Sequence, residues 1–134
     1  MTAPLHGILL FAHGARDPAW AQPFERARAA LMQRAQAEGA EVRLAFLEFM
    51  SPDILVAGQE LATAGCQQIT VVPLFLGAGG HVRKDLPRLM DELAQAHPQV
   101  AWRLSAAVGE TELLIQALAD SAWQLATQAP APAA

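Results

Sequence analysis

Gly7-Ile8-Leu9-Leu10-Phe11-Ala12-His13-Gly14-Ala15-Arg16-Asp17-Pro18 decides the fold. Its first half is a continuous apolar run, the pattern of a strand covered on both faces. Its second half breaks that strand at glycine and opens a helix at Asp17-Pro18, with Pro18 suited to the first turn. A strand that is buried on both sides and feeds straight into a helix is the unit of a parallel α/β sheet.

The rest of the chain repeats this grammar. The helix from Asp17-Pro18 extends to about Glu38, where Gly39 stops it. Glu41 to Leu47 alternates Val42, Leu44 and Phe46 against Glu41, Arg43 and Ala45 and reads as a strand. Ser51-Pro52-Asp53 reads as a helix start: a capping hydroxyl, a first-turn proline and an early carboxylate. That helix ends near Gly65. Gln68 to Leu76 is a third strand, a helix lies between Val82 and His97, Gln99 to Leu104 is a short fourth strand, and Glu110 to Thr127 is a last helix. The expected architecture is α/β: one three-layer domain, residues 1–127, around a four-stranded parallel sheet with right-handed crossovers. Residues 128–134 read as a disordered Ala/Pro-rich tail.

Bulk properties narrow the function. The 134 residues make one domain, long enough to bury a core without staples. A net charge of −4 argues against nucleic acid as the main partner. The stretch Gly7–Ala12 is too short for a signal or a membrane span. With one cysteine, Cys66, there is no internal disulfide. A soluble cytoplasmic protein is the expectation, with Cys66 as a small buried apolar residue.

In an open parallel sheet, ligands bind beyond the carboxyl ends of the strands. Three groups are expected there: His13 after the first strand, Glu48 after the second, and His81 after the third. His81 follows Gly77-Ala78-Gly79-Gly80, whose glycines allow close backbone approach by a large flat ligand. Two imidazoles at one edge can bind a borderline metal, take protons, or do both. The bland alternatives are a hydrogen-bonded strand-end histidine, a helix-start histidine and a solvated carboxylate. Phe49 and Met50 suit either the core or a cleft wall. Arg16, Arg83, Lys84 and Arg88 crowd cations near the histidine loops, either as ordinary surface charge or as a grip on a polyanion. His6 and His97 read as structural. Trp20, Trp102 and Trp123 read as core or helix-face residues, with Trp20 near enough to the first loop to wall a cleft.

Other familiar sites are missing. Val82 stands where a dinucleotide fingerprint needs its third glycine, no Walker lysine pattern surrounds Lys84, and no serine sits in a G-x-S-x-G elbow. His13-Gly14 is similar to histidine phosphatases, but they place arginine directly before the histidine, where this chain has Ala12.

Three segments carry a resemblance. His13-Gly14-Ala15-Arg16-Asp17-Pro18, Phe46-Leu47-Glu48-Phe49-Met50-Ser51-Pro52 and Val72 through Pro87 together resemble the small CbiX-type sirohydrochlorin chelatases. The match runs in order over nearly the whole chain except its tail; Ala15 departs from the family's usual serine. The resemblance implies a fold like one half of the larger class II chelatases and insertion of a divalent metal into a tetrapyrrole without ATP. It places that reaction in cobalamin or sirohaem synthesis. It implies no permanent cofactor, with Co²⁺, Ni²⁺ or Fe²⁺ as substrate, and a homodimer that rebuilds a two-domain cleft. By motif position His13 and His81 are the active-site histidines and metal ligands, with Glu48 as the strand-end acid. Arg16, Phe49, Gly79, Gly80, Arg83 and Lys84 are the expected substrate contacts. The competing expectation is a non-catalytic tetrapyrrole or metal carrier using the same cleft.

Overall fold

The computed structural model of the chain describes residues 5–77 and 79–128. Four parallel strands, β1 (Leu5–Ala12), β2 (Ala40–Phe46), β3 (Cys66–Pro73) and β4 (Ala101–Leu104), form one sheet in the order β2-β1-β3-β4. The helices are α1 (Gln22–Ala37), α2 (Ile54–Thr63), α3 (Gly80–Ala96) and α4 (Glu112–Thr127). A short 3-10 turn precedes α1 (Pro18–Ala21) and another precedes α4 (Val108–Glu110).

The apolar run of β1 is buried because β1 lies inside the sheet, paired to β2 on one side and β3 on the other. Its side chains alternate between two cores. Leu9 and Phe11 pack with Ile69, Val71, Leu61 and Leu93 beneath α2 and α3. Leu10 and Ala12 pack with Val42, Leu44 and Phe46 beneath α1. This gives the three-layer α/β arrangement that the sequence implied.

Local details differ from the sequence reading for identifiable reasons. The first helix begins as a 3-10 turn capped by Asp17, which accepts from Ala19 N at 2.9 Å, and becomes α-helical only at Gln22. Ser51 does not cap the second helix. Asp53 does, accepting from Val56 N at 2.9 Å, and Pro52 lies ahead of the helix after a cis Ser51–Pro52 bond. The third strand ends at Pro73 rather than Leu76, and Leu74 through Gly77 line a cleft beyond it. Cys66 is buried at 3% exposure at the start of β3, as expected. Burial pushes its thiol above the ordinary range, Glu41 adds to that, and Arg43 partly opposes it. The low thiolate fraction that follows makes Cys66 a packing residue.

Among the described residues no helix is long and apolar enough to cross a membrane. Of the expected tail only Gln128 is described, and Ala129–Ala134 lie outside the described residues.

Candidate active site

The carboxyl ends of β1, β2 and β3 meet at one rim, and the site is built there by three loops. The loops after β2 and β3 are each tied back to β1 by the backbone. Leu47 N donates to Ala12 O at 2.8 Å, and Leu74 N donates to Phe11 O at 2.7 Å. These bonds carry the parallel ladder one step past the strand ends and fix the loops against one another.

His13 is the first residue beyond β1. Its Nδ1 lies 3.1 Å from Glu48 Oε1, and Gly14 N donates to the same oxygen at 3.2 Å. A carboxylate only accepts, so Nδ1 carries the proton of this contact. In the neutral ring that leaves Nε2 with the free lone pair, the arrangement by which a carboxylate behind the ring orients a ligating imidazole. The ring packs against Phe75, with centroids 4.6 Å apart. Trp20 Nε1 donates to His13 O at 2.7 Å and holds the backbone from the other side. Both members of the pair remain accessible, at 45% and 34% of their side-chain surface.

Gly14 makes this geometry possible. A Cβ added there would lie 1.6 Å from Glu48 O and 2.8 Å from Glu48 C. The two loops touch backbone to backbone, and only glycine allows that approach. The β2 loop has its own tight turn, in which Met50 N donates to Glu48 O at 2.8 Å with Phe49 at φ 67°. That turn sends its two apolar residues in different directions. Met50 packs against the α1-side core, whereas Phe49 is 64% exposed. The Arg16 guanidinium sits 5.1 Å from the Phe49 ring centroid, a cation–π contact that places both side chains at the rim.

Beside His13 opens a cleft of about 470 Å³ lined by His13, Trp20, Phe24, Leu74, Phe75, Leu76 and Gly77. It combines an apolar floor with one imidazole, the usual composition of a small-molecule site. Trp20 therefore walls the cleft, while Trp102 lies half-buried against the α2–α3 core and Trp123 is 73% exposed on α4. Another surface hollow, along α2 between Arg43 and Ala64, lies away from this rim and holds none of the sequence-selected residues.

The third loop reaches the rim from β3. Gly79 caps α3 and Gly80 begins it, with His81 as its second residue. The His81 backbone thus stands at the N-terminal end of a 17-residue helix on the same edge as His13. Its imidazole lies outside the described residues. Arg83 and Lys84 are exposed in the first turn, and Arg83 N donates to Gly79 O at 3.0 Å. Arg88 differs: its guanidinium contacts Glu92 at 2.9 Å and Asp85 at 3.6 Å, which is ordinary helix-surface pairing. Among the described residues no three His, Cys, Asp or Glu side chains gather as a metal cluster. The described part of the site offers one imidazole and one carboxylate.

Sequence reasoning missed the structural half of the site. Phe75 under the His13 ring and Gly14 against Glu48 lie within the motif segments, but nothing in the sequence assigns them these contacts. Gly109 also escaped notice: its added Cβ would meet Leu76 O at 1.8 Å, and its N donates to Phe75 O at 2.9 Å. It locks the cleft loop from the α4 side.

Comparison with known proteins agrees with this geometry. The CbiX family model matches residues 7–125. Over 89 residues the chain is 34% identical to a sirohydrochlorin cobaltochelatase of Sulfurisphaera tokodaii, a match spanning 66% of this chain and 71% of that one. A sirohydrochlorin cobaltochelatase of Saccharolobus solfataricus is 34% identical over 63% of this chain and 62% of its own length. The crystal structure of a CbiX protein from Marinobacter aquaeolei superimposes with a TM-score of 0.79 at 32% identity, over 92% of this chain and 99% of that one. The sirohydrochlorin chelatase SirB from Bacillus subtilis subspecies spizizenii, solved with cobalt, gives a TM-score of 0.71 at 25% identity; 90% of this chain covers only 51% of SirB. A family match over nearly the whole chain, with the three motif loops on one sheet edge, shows that the chain belongs to the CbiX family, the chelatase family that those loops resemble.

Proposed function

We infer that the protein is a sirohydrochlorin metal chelatase, inserting Co²⁺, or alternatively Ni²⁺ or Fe²⁺, into the macrocycle without ATP. The observation that carries this reading is the Glu48-oriented imidazole of His13 at the mouth of an apolar cleft. The names of the relatives supply the substrate class, and the structural neighbour SirB is solved in complex with cobalt.

Insertion exchanges two pyrrole N–H protons for one M²⁺. The chain must therefore offer a lone pair to an incompletely hydrated ion, accept protons, and release the product. Nε2 of His13 suits the first two tasks, since neutral imidazole is both a borderline ligand and a base. His81, from the first turn of α3, is assigned as the second imidazole. A site with few protein donors suits an enzyme that must hand the ion on. The flat macrocycle would lie on the apolar floor formed by Leu74, Phe75 and Trp20. Its carboxylates would meet Arg16, Arg83, Lys84 and the amides that begin α3 at Gly79–Gly80, an end of the helix that favours anions. Phe49 would close the rim beside Arg16. These cations offset the acidic balance of the chain where the substrate enters. We further infer a cytoplasmic enzyme serving cobalamin or sirohaem synthesis as a two-fold homodimer, since one sheet edge provides one wall for a macrocycle.

The test is multiple-turnover absorbance spectroscopy with sirohydrochlorin and each of the three ions in turn, without ATP. Many product equivalents per chain with at least one ion are expected. A reaction that stops at one equivalent with every ion would make the protein a carrier.

A further inference from the structure

We propose that Phe75 is a positioning residue for metal insertion, an aromatic bench that fixes the plane of the His13 imidazole while Glu48 fixes its edge. The proposal rests on the chelatase reading above for the reaction, but the geometry it claims can be tested without that reaction.

The His13 ring needs a second constraint. Its contact with Glu48 Oε1 at 3.1 Å holds one atom, Nδ1, and a ring held at one atom can still swing about that point. The side chain is 45% exposed, so much of its surface meets only water. The face of the ring lies against Phe75, with centroids 4.6 Å apart and planes inclined at 38°. A face contact blocks the tilt that an edge contact permits. Together the two contacts fix the direction of Nε2, the atom that an ion or a proton entering the cleft would meet.

Phe75 suits this task better than it suits holding a ligand. It is 3% exposed, so it shows the cleft very little of its ring. Trp20 and Leu76 line the same cleft at 44% and 71% exposure and offer the apolar surface that a ligand would touch.

The position of Phe75 is itself fixed from several directions. Just beyond β3, Leu74 N donates to Phe11 O at 2.7 Å, which keeps the chain in line with β1. The Phe75 ring packs 5.9 Å from the Phe11 ring, within the core beneath α2 and α3. Its carbonyl accepts from Gly109 N at 2.9 Å. Gly109 lies so close to the next peptide that an added Cβ would meet Leu76 O at 1.8 Å, an approach that only glycine allows. Gly109 stands outside the three motif segments. The bench under His13 is therefore seated by a part of the chain that brings no chemical group to the site.

The test compares two variants. Phe75→Leu keeps an apolar side chain and removes the flat face. Gly109→Ala keeps the ring and displaces its seat. Ile69→Val, in the same core but in the middle of β3, controls for loosening alone.

The first readout is nuclear magnetic resonance of the His13 ring at about pH 8, above the ordinary histidine pKa of roughly 6.5. Its signal is identified by its loss in His13→Ala. Wild type should show a nuclear Overhauser contact between the two rings and a His13 ring signal shielded by the Phe75 face. Both should vanish in Phe75→Leu, weaken in Gly109→Ala and persist in Ile69→Val. The second readout is steady-state insertion of Co²⁺ into sirohydrochlorin. Phe75→Leu should lower kcat by about 10²-fold, the scale of a misplaced reacting group, with KM little changed because the floor stays apolar. Ile69→Val should keep the wild-type kcat at a lower Tm.

A wild type without the ring-to-ring contact overturns the proposal. So does a Phe75→Leu protein that keeps the wild-type kcat, or an Ile69→Val protein that loses kcat as far as Phe75→Leu does. A raised KM at unchanged kcat in Phe75→Leu would make Phe75 a substrate contact, which also overturns it. If Gly109→Ala does not fold, amide hydrogen exchange in wild type takes its place. A Gly109 amide that exchanges as slowly as those of β1 supports the seat, and one that exchanges as fast as an exposed loop overturns it. A wild type that turns over no sirohydrochlorin refutes the chelatase reading, and the resonance readout then decides the geometry by itself.

Discussion

Replacing His13 by alanine is expected to lower the rate of metal insertion by about 10²–10⁴-fold, the usual scale for a lost acid–base group, with little change in thermal stability. The side chain is 45% exposed, so its removal opens no cavity. What it loses locally is the contact with the Phe75 ring and the Nδ1 bond to Glu48, whose Oε1 keeps the Gly14 amide; the Trp20 bond goes to the backbone oxygen and survives the substitution. Exposed positions of this kind change stability by only about 0.5 kcal/mol. The chemical loss is larger, because His13 is the one imidazole among the described residues that lines the cleft. Steady-state insertion assays and a thermal melt on the same preparation separate the two effects. A variant that melts far below wild type would show His13 to be structural.

Gly14→Ala is expected to damage both fold and rate. The new methyl group would stand 1.6 Å from Glu48 O, a backbone atom that can yield only by moving the β2 loop. Overpacking of this kind costs about 1–3 kcal/mol. The same movement pulls Oε1 of Glu48 away from His13 Nδ1 and from the Gly14 amide, now 3.1 and 3.2 Å distant. A misplacement of about 1 Å can cost about 10²-fold in rate. A lowered Tm together with a rate loss approaching that of His13→Ala is the expected pair of results. Wild-type kinetics in a folded Gly14→Ala protein would mean that the Glu48 contact does not position the imidazole.

The sheet was legible because its signal is local. Gly7–Ala12 could only be a strand covered on both sides, and β1 does lie between β2 and β3. The position of the site was legible for the same reason: parallel strands must deliver His13, Glu48 and the β3 loop to one edge. What the sequence hid depends on contacts between segments. Nothing near Gly14 in the chain announces that Glu48 O will lie against it, and the two residues are brought together only when β1 pairs with β2. Ser51 looked like a cap because serine so often is one; Asp53, two residues on, supplies the carboxylate that reaches Val56 N. The state of α4 was equally out of reach. Its periodicity shows an amphipathic helix, but periodicity does not say whether its apolar face finds cover within the chain.

Chemical rescue of His13→Ala tests the central claim most directly, namely that an imidazole at this position, oriented by Glu48, performs insertion. The side chain leaves a solvent-accessible gap beside a cleft of about 470 Å³, so free imidazole can enter it. The rate of insertion into sirohydrochlorin is followed by absorbance as imidazole is added at fixed free metal, with wild type run in parallel to correct for metal binding by the additive. The expected result is a low rate without imidazole that rises and saturates as imidazole is added, while wild type does not rise. A His13→Ala protein that inserts metal at the wild-type rate with no imidazole present would contradict it.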